Sequence, residues 1–284
     1  MAQQIPIDES AITAAATSDD NTHVVARDVA YRRLAIVNVI FVGRPGAADQ
    51  EWVLVDAGVF GTTGFIESAA TKRFGENSRP SAIVMTHGHF DHIGGLKELA
   101  EKWDAPIYAH ALEHPYLDGT SSYPPPDPTV GGGLMALLSP LYPKGPIDVK
   151  TRLRYLPEDG TIPGMPGWRW LHTPGHAPGH VSLWRESDGT LIAGDAFVTT
   201  AQESVYAVAT QEPEMHGPPM YFTPDWASAR TSVEELAALD PETVVTGHGQ
   251  AMRGEEMRRA LRHLAANFDE IAVPEHGRYV EQPV

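Results

Sequence analysis

Short hydrophobic runs separated by turn-forming residues recur along the chain and predict alternating strands and helices. The first runs, at 34–42 and 52–55, are rich in β-branched residues and flank a turn-like stretch at 43–49. They predict an early hairpin. Residues 62–74 predict a helix, and the short apolar run at 82–85 predicts a buried strand.

The same alternation continues downstream and indicates an α/β protein without short internal repeats. A Ser-Asp-Gly turn at 187–189 favours a hairpin between its flanking runs. The elements predicted here are helices at 95–102, 225–239 and 254–268, and strands at 107–109, 168–171, 181–184, 191–193 and 243–245.

The domain organisation predicted from composition is one domain over 31–273, after a polar, acidic arm or lead-in at 1–30 and before a tail at 274–284. Residues 118–142 form a Pro- and Gly-rich insertion whose end, 134–141, is apolar enough for a short helix. A lid, an interface segment and a plain surface loop are all consistent with that composition.

Composition excludes several function classes. The formal net charge is −16, which disfavours binding to nucleic-acid phosphates. The chain has no cysteine, so disulfides and thiolate metal sites are excluded. No run approaches the roughly 18 apolar residues of a spanning helix, and the first residues lack a secretory pattern. We therefore expect a cytoplasmic protein with no membrane contact.

The segment at 86–95 reads Thr-His-Gly-His-Phe-Asp-His-Ile-Gly-Gly and contains four side chains of metal-ligand type. Further candidates stand beside glycines downstream, and most of the set follow a short apolar strand directly. Because strand ends converge on one rim of a sheet, this pattern predicts a metal site. The candidate ligands are His87, His89, Asp91, His92, His176, Asp195 and His248, with Asp56 after an earlier strand.

The ordered pattern H-x-H-x-D-H, a later His, an Asp after a strand and then Gly-His resembles the metallo-β-lactamase superfamily. The resemblance spans 56–248 and implies a four-layer α/β/β/α sandwich of two mixed sheets flanked by helices. It also implies two divalent metal ions: zinc, with iron or manganese as alternatives. In the implied ligand sets His87, His89 and His176 bind one metal, Asp91, His92 and His248 bind the other, and Asp195 bridges both.

The resemblance further implies a hydrolase in which a hydroxide between the metals attacks the substrate. Asp91 would move a proton to the leaving group, and Asp56 would orient ligands, although Asp56 could instead cap the segment after it. His172 and His180 flank His176, and His180 would either support a ligand from outside or be a packing residue. His110 and His114 are expected to be surface or loop residues.

Differences between this chain and the known branches of the superfamily narrow the expected substrate class. The absence of cysteine differs from the main zinc β-lactamases, and Val198 stands where lactonases often have tyrosine. Arg258, Arg259 and Arg262 suit either a glyoxalase II-like glutathione site or a solvated helix face. We expect a small carboxylic ester, lactone or thioester as substrate. We expect the segment at 202–222 to line the substrate pocket or to form a dimer interface.

Within that segment Tyr206, His216 and Tyr221 are the candidate substrate-binding residues, and His216 could equally be a plain loop residue. The alternatives of other classes are a mononuclear iron persulfide dioxygenase using His87, His176 and Asp195, a phosphoesterase or β-lactam hydrolase, and a non-catalytic binding module. Partners beyond the small-molecule substrate are limited to a second copy of the chain, through the loop insertions.

Overall fold

The computed structural model describes residues 5–7, 11–12, 18–210 and 213–282. The chain divides into two compact units. The first unit comprises Ala14–Tyr123 and Lys144–Trp170, and the second comprises Met1–Thr13, Pro124–Pro143 and Leu171–Val284. The single domain that the sequence predicts over 31–273 covers parts of both units. Most of the predicted insertion, from Pro124 to Pro143, belongs to the second unit.

The strands are short, as the brief hydrophobic runs predict. In chain order through the described residues they are β1 (Ile5–Pro6), β2 (His23–Ala26), β3 (Val29–Leu34), β4 (Val37–Val42), β5 (Val53–Val55), β6 (Ala82–Val84), β7 (Ile107–Ala109), β8 (Leu153–Tyr155), β9 (Arg169–His172), β10 (Val181–Arg185), β11 (Thr190–Gly194), β12 (Glu214–Met215), β13 (Thr243–Thr246) and β14 (Met252–Arg253).

The helices include long amphipathic ones and short connecting turns. In chain order through the described residues they are α1 (Thr63–Phe74), α2 (Leu96–Trp103), α3 (His114–Leu117), α4 (Leu134–Leu138), α5 (Val205–Thr210), α6 (Trp226–Ala238), α7 (Gly254–Ala266), α8 (Phe268–Ile271) and α9 (Arg278–Glu281), with 3-10 turns at Ala111–Glu113, Ser139–Leu141 and Met220–Phe222.

The first unit is built on a seven-stranded mixed sheet in the order β2-β3-β4-β5-β6-β7-β8. The strands from β2 to β5 pair antiparallel, and those from β5 to β8 pair parallel. Helices α1 and α2 contribute to one apolar core with this sheet, in which Phe41, Trp52, Leu54 and Leu96 are fully buried. Two adjacent parallel strands, β5 and β6, therefore end at the same edge.

The second unit is built on a five-stranded sheet in the order β14-β13-β11-β10-β9. Strands β10 and β11 form the predicted antiparallel hairpin, while β11 and β13 pair parallel. Helix α6 begins after Asp225, whose carboxylate accepts the backbone N–H of Ser228 and caps the helix. This unit also places two adjacent parallel strands, β11 and β13, with their carboxyl ends at one edge.

Three segments that the sequence set apart from the main domain can be followed in the structure. Part of the predicted lead-in at 1–30 forms β2, because β3 supplies an antiparallel partner that local sequence does not show; residues 1–4, 8–10 and 13–17 lie outside the described residues. In the predicted tail at 274–284, Tyr279 is buried and donates a hydrogen bond to the Pro125 carbonyl. The insertion holds α4 and a 3-10 turn, as its apolar end predicted.

Among the described residues, no helix combines the length and the apolar character needed to cross a membrane.

Candidate metal centre

In the first unit, the predicted ligands follow the ends of β5 and β6. Asp56 comes directly after β5, and Thr86 and His87 come two and three residues after Val84, the end of β6. The Asp56 N–H donates to the Val84 carbonyl at 3.0 Å, so the parallel pairing continues past the strand end. This register brings the Asp56 side chain to the segment that carries the histidines.

Asp56 is fully buried and accepts three hydrogen bonds from that segment. The Thr86 N–H donates to Oδ1 at 2.8 Å, and the Thr86 hydroxyl donates to Oδ2 at 2.7 Å. His92 Nδ1 lies 2.8 Å from Oδ2. Asp56 has φ of +60°, a left-handed conformation that aspartate tolerates better than bulky residues. Asp56 therefore acts as the anchor of the histidine segment.

This network determines which ring nitrogen carries the proton in two histidines. A carboxylate oxygen only accepts, so His92 donates from Nδ1. Because the Thr86 hydroxyl proton is committed to Asp56, His87 Nδ1, 3.0 Å from Thr86 Oγ1, must donate to that oxygen. In the neutral tautomer both rings then keep the lone pair on Nε2, which is the state required for a metal ligand.

A second support holds the backbone between His87 and His89. The Gly88 N–H lies 2.9 Å from both Glu113 Oε2 and the Tyr123 hydroxyl oxygen. Tyr123 in turn donates its own proton to Glu113. The His89 ring lies 4.4 Å from the Tyr123 ring, measured between centroids. A carboxylate and a phenol from two later segments thus clamp the His-x-His turn.

Burial keeps Tyr123 protonated. Desolvation of the phenol, together with the neighbouring Glu113 carboxylate, raises its pKa well above its ordinary value. Any methyl group on Gly88 would come within 2.9 Å of the Tyr123 hydroxyl, so glycine is needed between the two histidines. The clamp therefore requires a neutral tyrosine and a residue without a side chain.

Asp91 and His92 complete the cluster of the first unit. Potential ligand atoms of His87 and His89 lie within 4.8 Å of each other, as do those of Asp91 and His92. All four side chains are buried. One turn of chain therefore presents two close donor pairs, as the H-x-H-x-D-H spacing predicts.

In the second unit, Asp195 and His248 follow the ends of β11 and β13. The Gly247 N–H donates to the Gly194 carbonyl at 2.8 Å and continues the parallel pairing. His248 Nε2 lies 3.0 Å from Asp195 Oδ2, and His176 Nε2 lies 3.5 Å from the same oxygen. One buried carboxylate oxygen is thus flanked by the Nε2 atoms of two buried imidazoles.

His180 holds Asp195 from behind. Its Nε2 accepts the Asp195 backbone N–H at 2.9 Å, and its Nδ1 lies 3.1 Å from the Thr173 carbonyl. Since a carbonyl only accepts, Nδ1 carries the proton and the ring is a neutral bridge between two backbone groups. His180 therefore supports a candidate ligand from outside, which is one of the two roles that the sequence predicts for it.

His176 is oriented by the segment before α6. Its Nδ1 lies 3.3 Å from the Thr223 hydroxyl, which itself donates to the Pro219 carbonyl at 2.7 Å. The imidazole must therefore donate from Nδ1, which leaves Nε2 toward Asp195. Thr223 therefore fixes the tautomer of His176 in the same way that Thr86 fixes the tautomer of His87.

These donor sets fit divalent metal. Imidazole nitrogens and carboxylate oxygens suit zinc, iron and manganese, and no thiolate is present to select a softer ion. In each unit the donors are buried, close together and held by backbone or hydroxyl partners. Such outer partners are typical of metal ligands, because they fix the ring orientation.

The remaining predicted residues are scattered. Tyr206 on α5 is 70% exposed, whereas Tyr221 and His216 are buried. His114 is partly buried and stacks on Tyr155, while His110 caps a 3-10 turn. The three arginines of α7 form ion pairs with nearby acids, which supports the solvated-face interpretation over a glutathione site.

Sequence reasoning missed Thr86, Glu113, Tyr123, Thr173 and Thr223. Tyr123 opens a Tyr-Pro-Pro-Pro stretch that resembles an irregular loop, and Glu113 lies in a 3-10 turn. Neither residue carries a spacing signal, because each meets the histidine segment only through the tertiary fold. The hydroxyl beside His87 could have been found, since Thr86 directly precedes it.

Comparison with known proteins extends these observations. Residues 32–248 match the sequence profile of the metallo-beta-lactamase superfamily. The chain is 46% identical over 236 residues to the probable metallo-hydrolase YflN of Bacillus subtilis (strain 168), covering 83% of this chain and 89% of that protein. It is 27% identical over 180 residues to a hydroxyacylglutathione hydrolase of Halorhodospira halophila (strain DSM 244 / SL1), covering 63% of this chain and 51% of that protein.

Among solved structures, the chain is similar to a beta-lactamase domain protein from Burkholderia ambifaria. The TM-score is 0.62 at 21% identity, with 90% of this chain and 75% of that chain covered. A likeness at this identity concerns the fold alone. With the profile match, it confirms the predicted fold class, an αββα sandwich of mixed sheets flanked by helices.

Proposed function

The chain belongs to the metallo-β-lactamase superfamily and is a metal-dependent hydrolase, and on that premise we propose that it hydrolyses a small ester, lactone or thioester at a centre of two divalent metal ions. The order of the superfamily motifs supports the ligand assignment. His87, His89 and His176 would hold one ion, and Asp91, His92 and His248 the other. Asp195 would bridge them.

The single observation that carries this proposal is the proton arrangement around Asp56. The buried carboxylate, directly and through Thr86, commits the Nδ1 protons of His92 and His87. Both rings are thereby held in the tautomer that offers Nε2 to a metal. A purely structural histidine cluster has no need for two rings set in the same tautomer by one carboxylate.

When bound, the ions supply Lewis-acid polarisation of the substrate oxygen and lower the pKa of water toward about 7. The chain's own residues then divide the remaining work. Asp56 orients His87 and His92, and His180 fixes the backbone of Asp195. Asp91 is proposed to carry a proton to the leaving group, which needs a carboxylate close to the reacting bond.

The substrate class is supported by the relatives and by the chain's charge. One relative bears the name hydroxyacylglutathione hydrolase, which denotes an acyl compound of glutathione as its substrate. The net charge of −16 opposes polyanionic substrates such as nucleic acids. We propose zinc as the metal, because tetrahedral and five-coordinate sites of imidazole and carboxylate ligands are typical of zinc hydrolases.

The test combines metal analysis with a substrate panel. Purified protein should contain close to two zinc ions per chain and turn over at least one carboxylic ester, lactone or thioester. One iron per chain with oxygen consumption on a persulfide would overturn the proposal in favour of the dioxygenase. Turnover confined to phosphodiesters or β-lactams would show that the same residues hydrolyse a different type of bond, and it would overturn the proposed substrate class. No turnover across the panel would favour a binding module.

We also propose that the chain forms a homodimer through its insertion. Four leucines on α4 and the following 3-10 turn are exposed to solvent, by 39 to 79%: Leu134, Leu137, Leu138 and Leu141. Contiguous exposed apolar side chains are typical of interfaces. Light scattering should show a dimer that Leu137→Glu with Leu141→Glu converts to monomer. The control Phe60→Glu, at an exposed phenylalanine of the first unit, should stay dimeric; a monomeric wild type would refute this assembly.

A further inference from the structure

A second polar cluster lines a cavity of about 480 Å³ that lies wholly in the second unit. Its walls include the apolar residues Val130, Ala201 and Met220 and the polar residues Glu203 and His216. Glu203 and His216 are 4% and 2% exposed. Neither residue belongs to the proposed metal ligands, so the cavity needs a separate functional explanation.

The glycine-rich part of the insertion forms one wall at very close range. A methyl group on Gly131 would lie 2.3 Å from Glu203 Cγ, and one on Gly133 would lie 1.8 Å from the Glu203 carbonyl oxygen. The Met135 N–H donates to that same carbonyl at 3.3 Å. The Gly-Gly-Gly sequence therefore brings the insertion against Glu203, where residues with side chains would not fit.

The hydrogen bonds at Glu203 and His216 leave two acceptors opposite each other. Glu203 Oε1 accepts the Met220 N–H at 2.7 Å, and Oε2 lies 3.6 Å from His216 Nε2. His216 Nδ1 lies 3.0 Å from the Gly217 carbonyl, so Nδ1 carries a proton. In neutral His216 the Nε2 lone pair then faces a carboxylate oxygen. A donor placed between these atoms would satisfy both.

The charge of the cavity indicates what kind of donor it takes. Its lining includes the buried carboxylate of Glu203 and, among the described lining residues, no lysine or arginine. A buried carboxylate without a cationic side chain attracts a positively charged ligand and repels an anionic one. The apolar walls add room for a short hydrocarbon chain. These features together match a protonated amine on an alkyl chain.

The cavity is connected through the backbone to the segment that supports the candidate metal ligands of the same unit. His216 exchanges two backbone hydrogen bonds of 3.0 Å with Val198, three residues after Asp195. Thr223, in the same segment as His216, orients His176. A group bound at His216 is therefore connected by short stretches of chain to both residues.

We propose that this cavity binds a protonated amine on a short hydrocarbon chain and, resting on the proposed hydrolase function, that the substrate is an amino-bearing acyl compound. Glu203 accepts hydrogen bonds from the ammonium group through Oε2, and His216 accepts one through Nε2. The alkyl part packs on Val130 and Met220. No covalent step occurs here; the cavity selects and orients the substrate.

The binding test uses the metal-loaded protein and three matched probes: n-butylammonium, n-butanol and butyrate. Titration calorimetry or chemical-shift titration should show n-butylammonium binding about tenfold or more tightly than the other two, because a charge-assisted hydrogen bond is lost in each. Glu203→Gln should remove this preference, and Glu186→Gln, at an exposed turn of the same unit, should keep it. Equal binding of all three probes, or an unchanged preference in Glu203→Gln, would show that Glu203 and His216 simply pair with each other.

A kinetic test then separates this inference from the proposed function. Phenyl 6-aminohexanoate should have a KM about tenfold lower than phenyl hexanoate, and Glu203→Gln should equalise the two with little change in kcat. If neither ester nor any thioester or lactone is hydrolysed, the proposed function fails while n-butylammonium binding still reports on the cavity. If both esters are hydrolysed with equal KM, the function stands and the amine inference is overturned.

Discussion

Tyr123 donates its phenolic proton to Glu113, and the pair together hold the Gly88 N–H between two histidines of the H-x-H-x-D-H sequence. Glu113 is fully buried and Tyr123 is 5% exposed. A buried carboxylate is stabilised only when such donors surround it. The shape of the histidine turn therefore depends on two residues from distant parts of the chain.

Replacing Tyr123 by phenylalanine tests this clamp. The variant leaves Glu113 with one donor fewer in a buried position, so we expect the free energy of unfolding to fall by about 1–3 kcal/mol. Metal content after dialysis should fall as well, because the His87 and His89 backbone loses a support. Urea unfolding and metal analysis measure the two effects. Tyr155→Phe, at a largely exposed tyrosine, is the control. If the two variants have the same unfolding free energy and the same metal content, the clamp is refuted.

The same tyrosine predicts a loss of stability at alkaline pH. Burial and the Glu113 carboxylate raise the Tyr123 pKa in the folded state, so above about pH 10 the unfolded chain releases this proton while the folded chain keeps it. Stability contributed by the neutral phenol is thus complete below pH 10 and is lost as the pH rises. Unfolding free energies measured from pH 9 to 11 should fall less steeply in Tyr123→Phe than in wild type. If the unfolding free energy falls equally steeply with pH in both proteins, the raised pKa of Tyr123 is contradicted.

Asp56→Asn tests the proton arrangement that supports metal binding. Asparagine tolerates the positive φ of this position, so the backbone is preserved. Its amide removes one carboxylate oxygen and the negative charge that holds His92 and Thr86. We expect metal affinity to fall about 10–100-fold, with a matching loss of activity. Competition with a fluorescent chelator measures the affinity. Asp49→Asn, at an exposed ion pair with Arg79, should behave as wild type.

Asp195→Asn tests the carboxylate flanked by two imidazoles. We expect loss of activity and of at least one metal ion per chain, because the neutral amide oxygen is a poorer ligand than a carboxylate oxygen and the NH₂ group offers no lone pair to a metal ion. Metal analysis and the substrate panel provide the readouts. Asp269→Asn, which interrupts an exposed ion pair with Arg230, is the control. Full activity of Asp195→Asn would refute its role as the bridging ligand.

Metal removal should destabilise the protein. Ions that bind only the folded chain stabilise it by about 2.7 kcal/mol at a concentration one hundred times the Kd. Dialysis against a chelator should therefore lower the Tm by several degrees, and added zinc should restore it. An unchanged Tm in wild type would mean that the buried histidine clusters are already satisfied without metal. Asp195→Asn should show a smaller chelator effect than wild type.

An acid-sensitive ion pair joins Asp20 to Arg73 on helix α1. Desolvation opposes ionisation of Asp20, but hydrogen bonds from Ser18 and Thr22 and the charge of buried Arg73 outweigh it, so the Asp20 pKa is lowered. The stability from this carboxylate is present above its ordinary pKa near 4 and is lost as the pH falls below it. Asp20→Asn should flatten the acid limb of unfolding between about pH 5 and 2. The same slope in both proteins would refute the pair.

Local sequence was sufficient for much of the fold and for the candidate ligands. The helices at Thr63–Phe74 and Trp226–Ala238 and the strands beside Asp56 and His87 lie within a residue or two of their predicted bounds. Hydrophobic period and turn residues carry this information within a short window. The predicted ligands also stand at strand ends, because a buried strand that stops at a polar residue is a local pattern.

Other features could be decided only by the tertiary structure. The strand at His23–Ala26 forms because β3 pairs with it, and the tail is held by Pro125 and Asp127 from the insertion. The Glu113–Tyr123 clamp and the Glu203–His216 pair join residues that share no spacing rule. Burial and hydrogen-bond satisfaction act between segments that meet only after folding, so they leave no periodic trace in the sequence. The residue types of the candidate metal ligands were therefore readable from the chain, whereas their protonation and support required the fold.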